Sequence, residues 1–249
     1  RVLAGYKALL DNFDIKELHV FGTAPLRNIV NTEEALDTIR AVTGVGVEVL
    51  SGADEAALSS RGATVGGGAP AAGLLADIGG GSTELVAYEN CAITSGCSLP
   101  MGSLSLFTDY VSGLFPTREE RRALRNRVES ELERARTAGV HCAHLTGVGG
   151  TIRAAAKLYN ACSGADPANR VIPAEELRGL YKELKKGDQG TLRQILRTAP
   201  DRVHTILPGL VILNAVVKSY GVETISVSAC GVREGYLLQR VMGVENHDE

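Results

Sequence analysis

Leu74-Leu-Ala-Asp-Ile78 is a short apolar segment that runs directly into Gly79-Gly80-Gly81-Ser82-Thr83, and Glu84 to Tyr88 follows as a second segment of strand composition. Two strand-like segments joined by so tight a glycine turn predict strand–turn–strand, which separates this loop from nucleotide loops that run from strand into helix. It is neither a P-loop nor a dinucleotide fingerprint: no Lys follows the glycines, and Glu84 stands where a last glycine would fall. Three consecutive glycines let backbone N–H groups converge on an anion with no Cβ in the way. Gly80, Gly81, Ser82 and Thr83 are therefore candidate anion ligands, the last two adding hydroxyls. Asp77 and Glu84 flank that site, and two carboxylates beside an anion are unfavourable unless a cation such as Mg²⁺ lies between them.

A second glycine turn, Gly147-Val-Gly149-Gly150-Thr151, follows the apolar Leu145-Thr146 and precedes a helical pattern from Ile152 to about Tyr159. A helix N-terminus then points at the loop, which suits an anion and makes Gly149, Gly150 and Thr151 candidates for the same ligand; alternatively Thr151 is only a helix cap. Glu55, at the start of a helix that follows the strand Val45–Leu50, is the candidate general base, although acids are common in first turns for electrostatic reasons alone. Arg27, Arg202 and Arg233 sit in or beside loops, where a guanidinium can fork onto phosphate oxygens.

Around these turns strands and helices alternate, which predicts an α/β architecture. Glu17–Phe21 reads as a strand running into a loop at 22–28. Asn31 with Glu34 reads as the start of a helix ended by Gly44, and Thr117 with Glu120 as a capping box opening a helix closed by Gly139. Gly62 to Gly73 reads as a loop or inter-domain connection. Pro208–Tyr220 is an apolar helix, Thr224–Ser228 a strand and Arg233–Met242 the last helix. Composition narrows the partners. A net charge of −3 and the absence of Trp argue against a duplex-binding face or base-stacking platform. Five scattered cysteines with no CxxC pair suggest free thiols, and the histidines form no metal pattern. No apolar run reaches the roughly 18 residues of a membrane span, so the cytoplasm is the expected compartment.

Taken in order, Gly22-Thr-Ala-Pro-Leu-Arg27, Ser51-Gly-Ala-Asp-Glu55-Ala-Ala-Leu58, Asp77-Ile-Gly-Gly-Gly-Ser-Thr-Glu84, Ser98-Leu-Pro-Met-Gly102, Gly147-Val-Gly-Gly-Thr151, Asp201-Arg202 with Leu207-Pro-Gly209, and Arg233-Glu-Gly235 resemble the exopolyphosphatase/guanosine pentaphosphatase family. The resemblance covers almost the whole chain. It implies the actin-like superfamily fold, with two ribonuclease-H-like domains facing a cleft, here expected as 1–68 and 69–249. It also implies Mg²⁺-dependent removal of the terminal phosphate from polyphosphate or guanosine pentaphosphate, and it allows a homodimer. By position Glu55 matches the family's water-activating base, Arg27 and Arg202 its phosphate-binding arginines, and Gly80–Thr83 and Gly149–Thr151 its phosphate loops.

Two departures stand out. The family's opening strand and DxGSNS-like loop have no counterpart here, so the first domain is expected to be N-terminally truncated, either in the sequence as given or in the protein itself. The family's acid before Gly-x-Arg-Glu-Gly is replaced in Ser228-Ala-Cys-Gly231. A small-molecule kinase of the same superfamily and a non-catalytic phosphate or nucleotide sensor are the competing functions.

Overall fold

The computed structural model describes residues 1–65, 70, 72–89, 92–135 and 141–243. The chain divides into two compact units, Arg1–Glu55 and Ala56–Glu249.

In the first unit α1 (Val2–Asn12) and α3 (Thr32–Thr43) accompany a two-residue parallel pair, β1 (Phe21–Gly22) with β2 (Glu48–Val49). Both strands are shorter than the sequence pattern predicts, and the expected loop at 22–28 contains a turn of helix, α2 (Ala24–Arg27), with Pro25 in its first turn, where a missing N–H costs nothing. Asn31 precedes α3 without a side-chain capping bond, while Gly44 ends it in the left-handed conformation. Few apolar side chains are buried here: Ala24, Val45 and Leu50 are, whereas Val2, Tyr6 and Leu9 on α1 and Phe13 just after it are exposed.

The helix α4 (Gly52–Val65) starts in the first unit and continues into the second. The expected loop from Gly62 to Gly73 is thus helical at its start and a strand at its end; residues 66–69 and 71 lie outside the described residues. Gly62 belongs on the helix for a steric reason. A Cβ there would stand 1.9 Å from the Gly231 carbonyl oxygen, and one on Gly235 would stand 1.9 Å from the Leu58 carbonyl oxygen. The last α-helix, α11 (Val232–Tyr236), lies against α4 through these bare backbones, and Glu234 caps it by accepting from the Gly231 N–H at 2.7 Å. A π-type turn, Leu237–Val241, follows where the sequence pattern extends the helix to Met242.

The second unit is built on a sheet of order β5-β4-β3-β6-β8-β7 among the described residues. The strands β3 (Ala72–Ile78), β4 (Thr83–Glu89) and β5 (Ala92–Leu99) form an antiparallel meander, as the glycine turn at 79–82 dictates. On its other side β3 runs parallel to β6 (His144–Val148), which runs parallel to β8 (Thr224–Val227); β7 (Val171–Pro173) closes the edge antiparallel. Successive side chains alternate across the sheet. Leu74, Ala76, Ile78 and Leu85 join a large core with α6 (Arg118–Arg134), α7 (Gly150–Ser163), α8 (Ala174–Leu184) and α10 (Ile206–Tyr220). Leu75, Val86, Tyr88 and Val148 face the other way, onto Ala56 and Ala63 of α4. The apolar α10 buries residues all round, as a central helix must.

On the α4 side, the Tyr88 ring crosses Gly73 and its hydroxyl shares a 3.1 Å hydrogen bond with Thr146, linking β4 to β6 over the intervening β3. A Cβ on Gly73 would stand 2.5 Å from that hydroxyl oxygen. The Thr117–Glu120 capping box opens α6, with Thr117 Oγ1 accepting from the Glu120 N–H at 3.2 Å and Glu120 Oε2 from the Thr117 N–H at 2.7 Å. The glycine expected to close that helix, Gly139, lies outside the described residues.

Candidate active site

The second unit gathers most of the candidate residues at one end of β3 and β6. The two strands are adjacent and parallel, so both glycine turns leave the sheet at the same edge. The first turn closes on itself, the Gly79 N–H donating to the Ser82 carbonyl at 3.0 Å. Its outward carbonyls are held by α5 (Ser103–Tyr110): Ser103 N donates to Gly79 O, and Leu104 N and Ser105 N to Gly80 O, each at 2.9 Å. Helix α5 thus spends its orphan N–H groups on the turn and fixes its peptide planes. Among the described residues the Gly80 and Gly81 amides donate to no protein acceptor. Thr83 is fully buried and its hydroxyl donates to the Met101 carbonyl at 2.8 Å, so it anchors the turn from below.

The second turn meets the first at Asp77. Gly149 has φ +96°, where only glycine is comfortable, and a Cβ there would stand 2.7 Å from Asp77 Oδ1 and 2.9 Å from the Ile78 carbonyl oxygen. Gly150 opens α7, and the Arg202 guanidinium lies over it, with Nη2 2.4 Å from where a Cβ would be. Arg202 is oriented by its neighbour, its Nε donating to Asp201 Oδ2 at 3.0 Å. The Thr151 hydroxyl oxygen is buried in the first turn of α7 without a hydrogen-bond partner among the described residues. Such an orphan costs about 1–3 kcal/mol unless something supplies its bond.

Asp77 and Glu84 are direct cross-strand partners and so share a face of the sheet, the one that α4 covers. Each receives a serine hydroxyl: Ser59 Oγ donates to Asp77 Oδ2 at 2.6 Å, and Ser98 Oγ to Glu84 Oε1 at 2.8 Å. Burial pushes the Asp77 carboxyl above its usual range, opposed by the Ser59 hydrogen bond and the positive charge of Arg153. Paired buried carboxylates beside a bare cradle at Gly149 are a donor set that fits a hard cation. Among the described residues no group of three or more His, Cys, Asp or Glu side chains is placed to hold a metal. A cation here would complete its shell with phosphate oxygens and water, as Mg²⁺ commonly does.

The first unit holds the other two candidates, and it brings them together. Arg27 Nη1 donates to Glu55 Oε2 at 3.0 Å and to the Leu50 carbonyl at 2.8 Å, with the Glu55 side chain only 10% exposed. Asp54, the neighbouring acid, is committed elsewhere. It accepts from Ser51 Oγ at 2.6 Å while the Ser51 hydroxyl caps the Asp54 N–H at 3.0 Å. Arg233 is exposed on α11, away from the contacts that Glu234 and the two glycines make.

Sequence reasoning missed Ser59, Ser98 and Arg153. Ser59 follows Glu55 by four residues on the same helix, a spacing that could have flagged it. Ser98 opens one of the stretches that carry the family resemblance but has no role assigned by it, and Arg153 carries no local signal; strand pairing and charge across a turn bring them in.

Known proteins resemble the chain in sequence and in fold. Exopolyphosphatase 1 of Mycobacterium leprae is 27% identical over 231 residues, 90% of this chain and 68% of that protein. A guanosine-5'-triphosphate,3'-diphosphate pyrophosphatase of Photobacterium profundum is 25% identical over 243 residues, 96% of this chain and 48% of its own length. The crystal structure of the Aquifex aeolicus member of the Ppx/GppA protein family superposes with a TM-score of 0.79 at 26% identity, covering 99% of this chain and 80% of that one. The α/β architecture is the actin-like fold of those proteins. No helix among the described residues is long and apolar enough to cross a membrane. Matched by the family profile over residues 1–243, the chain belongs to the Ppx/GppA phosphatase family.

Proposed function

We propose that the protein hydrolyses the terminal phosphoanhydride bond of inorganic polyphosphate or guanosine pentaphosphate. The observation that carries this reading is the meeting of two glycine turns at Asp77 with the Arg202 guanidinium over Gly150. Phosphoryl transfer asks a protein for positioning and charge neutralisation more than for a covalent nucleophile, and this end of the sheet offers both. In our reading the Gly80–Thr83 and Gly149–Thr151 turns and Arg202 hold the terminal phosphate. The unpartnered Thr151 hydroxyl then donates its hydrogen bond to a phosphate oxygen. Asp77 and Glu84 would hold Mg²⁺, and the ion would supply positive charge to neutralise phosphate oxygens. Glu55 takes a proton from the attacking water as the water oxygen bonds to phosphorus and the bridging oxygen leaves. Arg27 holds the Glu55 carboxylate through Nη1 and offers its remaining donors to phosphate.

The test is orthophosphate release from both substrates in the presence of Mg²⁺, with turnover and equilibrium binding measured on variants. Glu55→Gln should cut kcat by about 10²–10⁴-fold with binding nearly intact, the cost of a lost general base. Arg202→Ala should weaken binding, while Arg27→Ala should lower both binding and kcat because Glu55 loses its anchor. No phosphate release from either substrate overturns the reading, and near-normal turnover of Glu55→Gln overturns the role given to Glu55.

A further inference from the structure

We propose a second phosphate subsite on the second unit, between α7 and the end of α9 (Gln189–Thr198), where Lys157 and Arg197 hold phosphates of a linear chain remote from the bond being broken. It rests on the reading above that the substrate is a phosphate chain, and it bears on which chains are preferred. The surface there is a concavity of ≈ 400 Å³ lined by Lys157, Asn160, Pro167, Arg197 and Thr198 among others, and no carboxylate lines it. Neither Lys157 nor Arg197 forms an ion pair among the described residues. Two uncompensated cations in one concavity are an electrostatic match for a polyanion.

The part of the wall around Asn160, next to Lys157 on α7, is built rather than loose. Asn160 is buried, and its amide nitrogen donates to the Asn169 carbonyl at 2.9 Å while its oxygen accepts from Asn169 Nδ2 at 3.0 Å. Asn169 in turn donates to the Val171 carbonyl at 2.9 Å, and its backbone N–H reaches the Asp166 carbonyl at 2.8 Å. Asp166 is itself committed, its Oδ1 accepting from the Ala168 N–H at 2.7 Å. The concavity therefore keeps its shape without a ligand, so a bound chain need not order it.

Its place along α7 connects it to the glycine turns. Gly150 and Thr151 begin the helix, Arg153 lies close enough to act on Asp77, and Lys157 follows four residues later on the same stripe. Each four-residue step advances about 6 Å along the axis, so one helix carries a cation at successive steps away from the turn. A chain whose end sits in the glycine turns can follow that stripe to Arg197.

The experiment compares the intact chain with Lys157→Ala/Arg197→Ala and with a control, Arg118→Ala/Arg122→Ala, which removes the same number of exposed charges from α6. KM is measured for tripolyphosphate and for long-chain polyphosphate. Equilibrium binding of long-chain polyphosphate is measured in the Glu55→Gln background, where turnover does not interfere. We expect the long-chain KM and Kd to rise about tenfold in the first variant, consistent with two exposed charge contacts, with tripolyphosphate and the control unchanged. The salt dependence of long-chain binding should also become shallower. Unchanged long-chain affinity, or an equal loss for tripolyphosphate, overturns the subsite. If the wild type releases no phosphate at all, the catalytic reading fails, and the binding measurement still decides the subsite independently.

Discussion

Asp77 shows how far a single side chain can be set against the stability of its own fold. Its carboxyl is held above the usual value of 3.8 by burial, against the pull of Ser59 and Arg153. A folded-state value above the unfolded one means that the folded chain keeps the proton longer. Stability therefore declines as pH rises upward from about 3.8 through the folded-state value, and above that window the ionised group is a standing cost. Asp77→Asn keeps the size and can still accept from Ser59 but carries no charge. The variant should melt at a higher temperature than the wild type near neutral pH, with the difference vanishing in acid, while phosphate release falls by about 10²-fold or more. Thermal melts across pH check this, and a lower melting temperature at neutral pH would show that the charge itself organises the turn. At this scale the sequence was legible where chemistry is local: the glycines, Asp77 and Glu84 lie together in eight residues. It gave no role to Ser98 or Arg153, which reach the site only through strand pairing and a neighbouring turn.

Between elements, contacts without side chains decide how closely α11 approaches α4. Gly235→Ala would place a methyl group 1.9 Å from a backbone carbonyl oxygen, which cannot swing aside as a side chain can. We expect a loss of about 1–3 kcal/mol, read by urea unfolding. Gly179 provides the contrast, since it sits inside α8 with nothing near a Cβ; Gly179→Ala should stabilise by up to about 1 kcal/mol. Opposite signs for the same substitution would confirm that the first is a packing effect. The hairpin around 79–83, the capping box at Thr117 and the helix after Gly150 were legible because each is written in adjacent residues. The conversion of 62–65 into helix was not, because what holds Gly62 there is the backbone of Gly231, far away in sequence. Nor was β5, whose exposed edge position leaves no clean alternation to read. In the Gly231-Val-Arg-Glu-Gly235 stretch, Glu234 caps the helix and the two glycines make close backbone contacts, neither of which adjacent residues announce.

Across the whole molecule the two units differ in how much they bury. The first has three buried apolar side chains among the described residues, whereas the second surrounds α10 with a continuous core. Native-state hydrogen exchange should therefore find amides of α1 and α3 opening at far lower free energy than those of α10 and β6. Equal protection in both would mean that the chain unfolds as one cooperative block. Sequence alternation revealed the layered architecture, but it could not reveal this imbalance, since apolar spacing on α1 looks the same whether or not anything covers it. The tyrosine laid across Gly73 has a consequence of another kind. Because Tyr88 ties β4 to β6 by occupying the space a side chain at position 73 would need, the two positions are not free to drift separately over descent. A lineage that gained a side chain at 73 would have to shrink residue 88 as well, and would lose the brace to Thr146 behind the two glycine turns. Among relatives, these two positions should therefore be inherited as a pair.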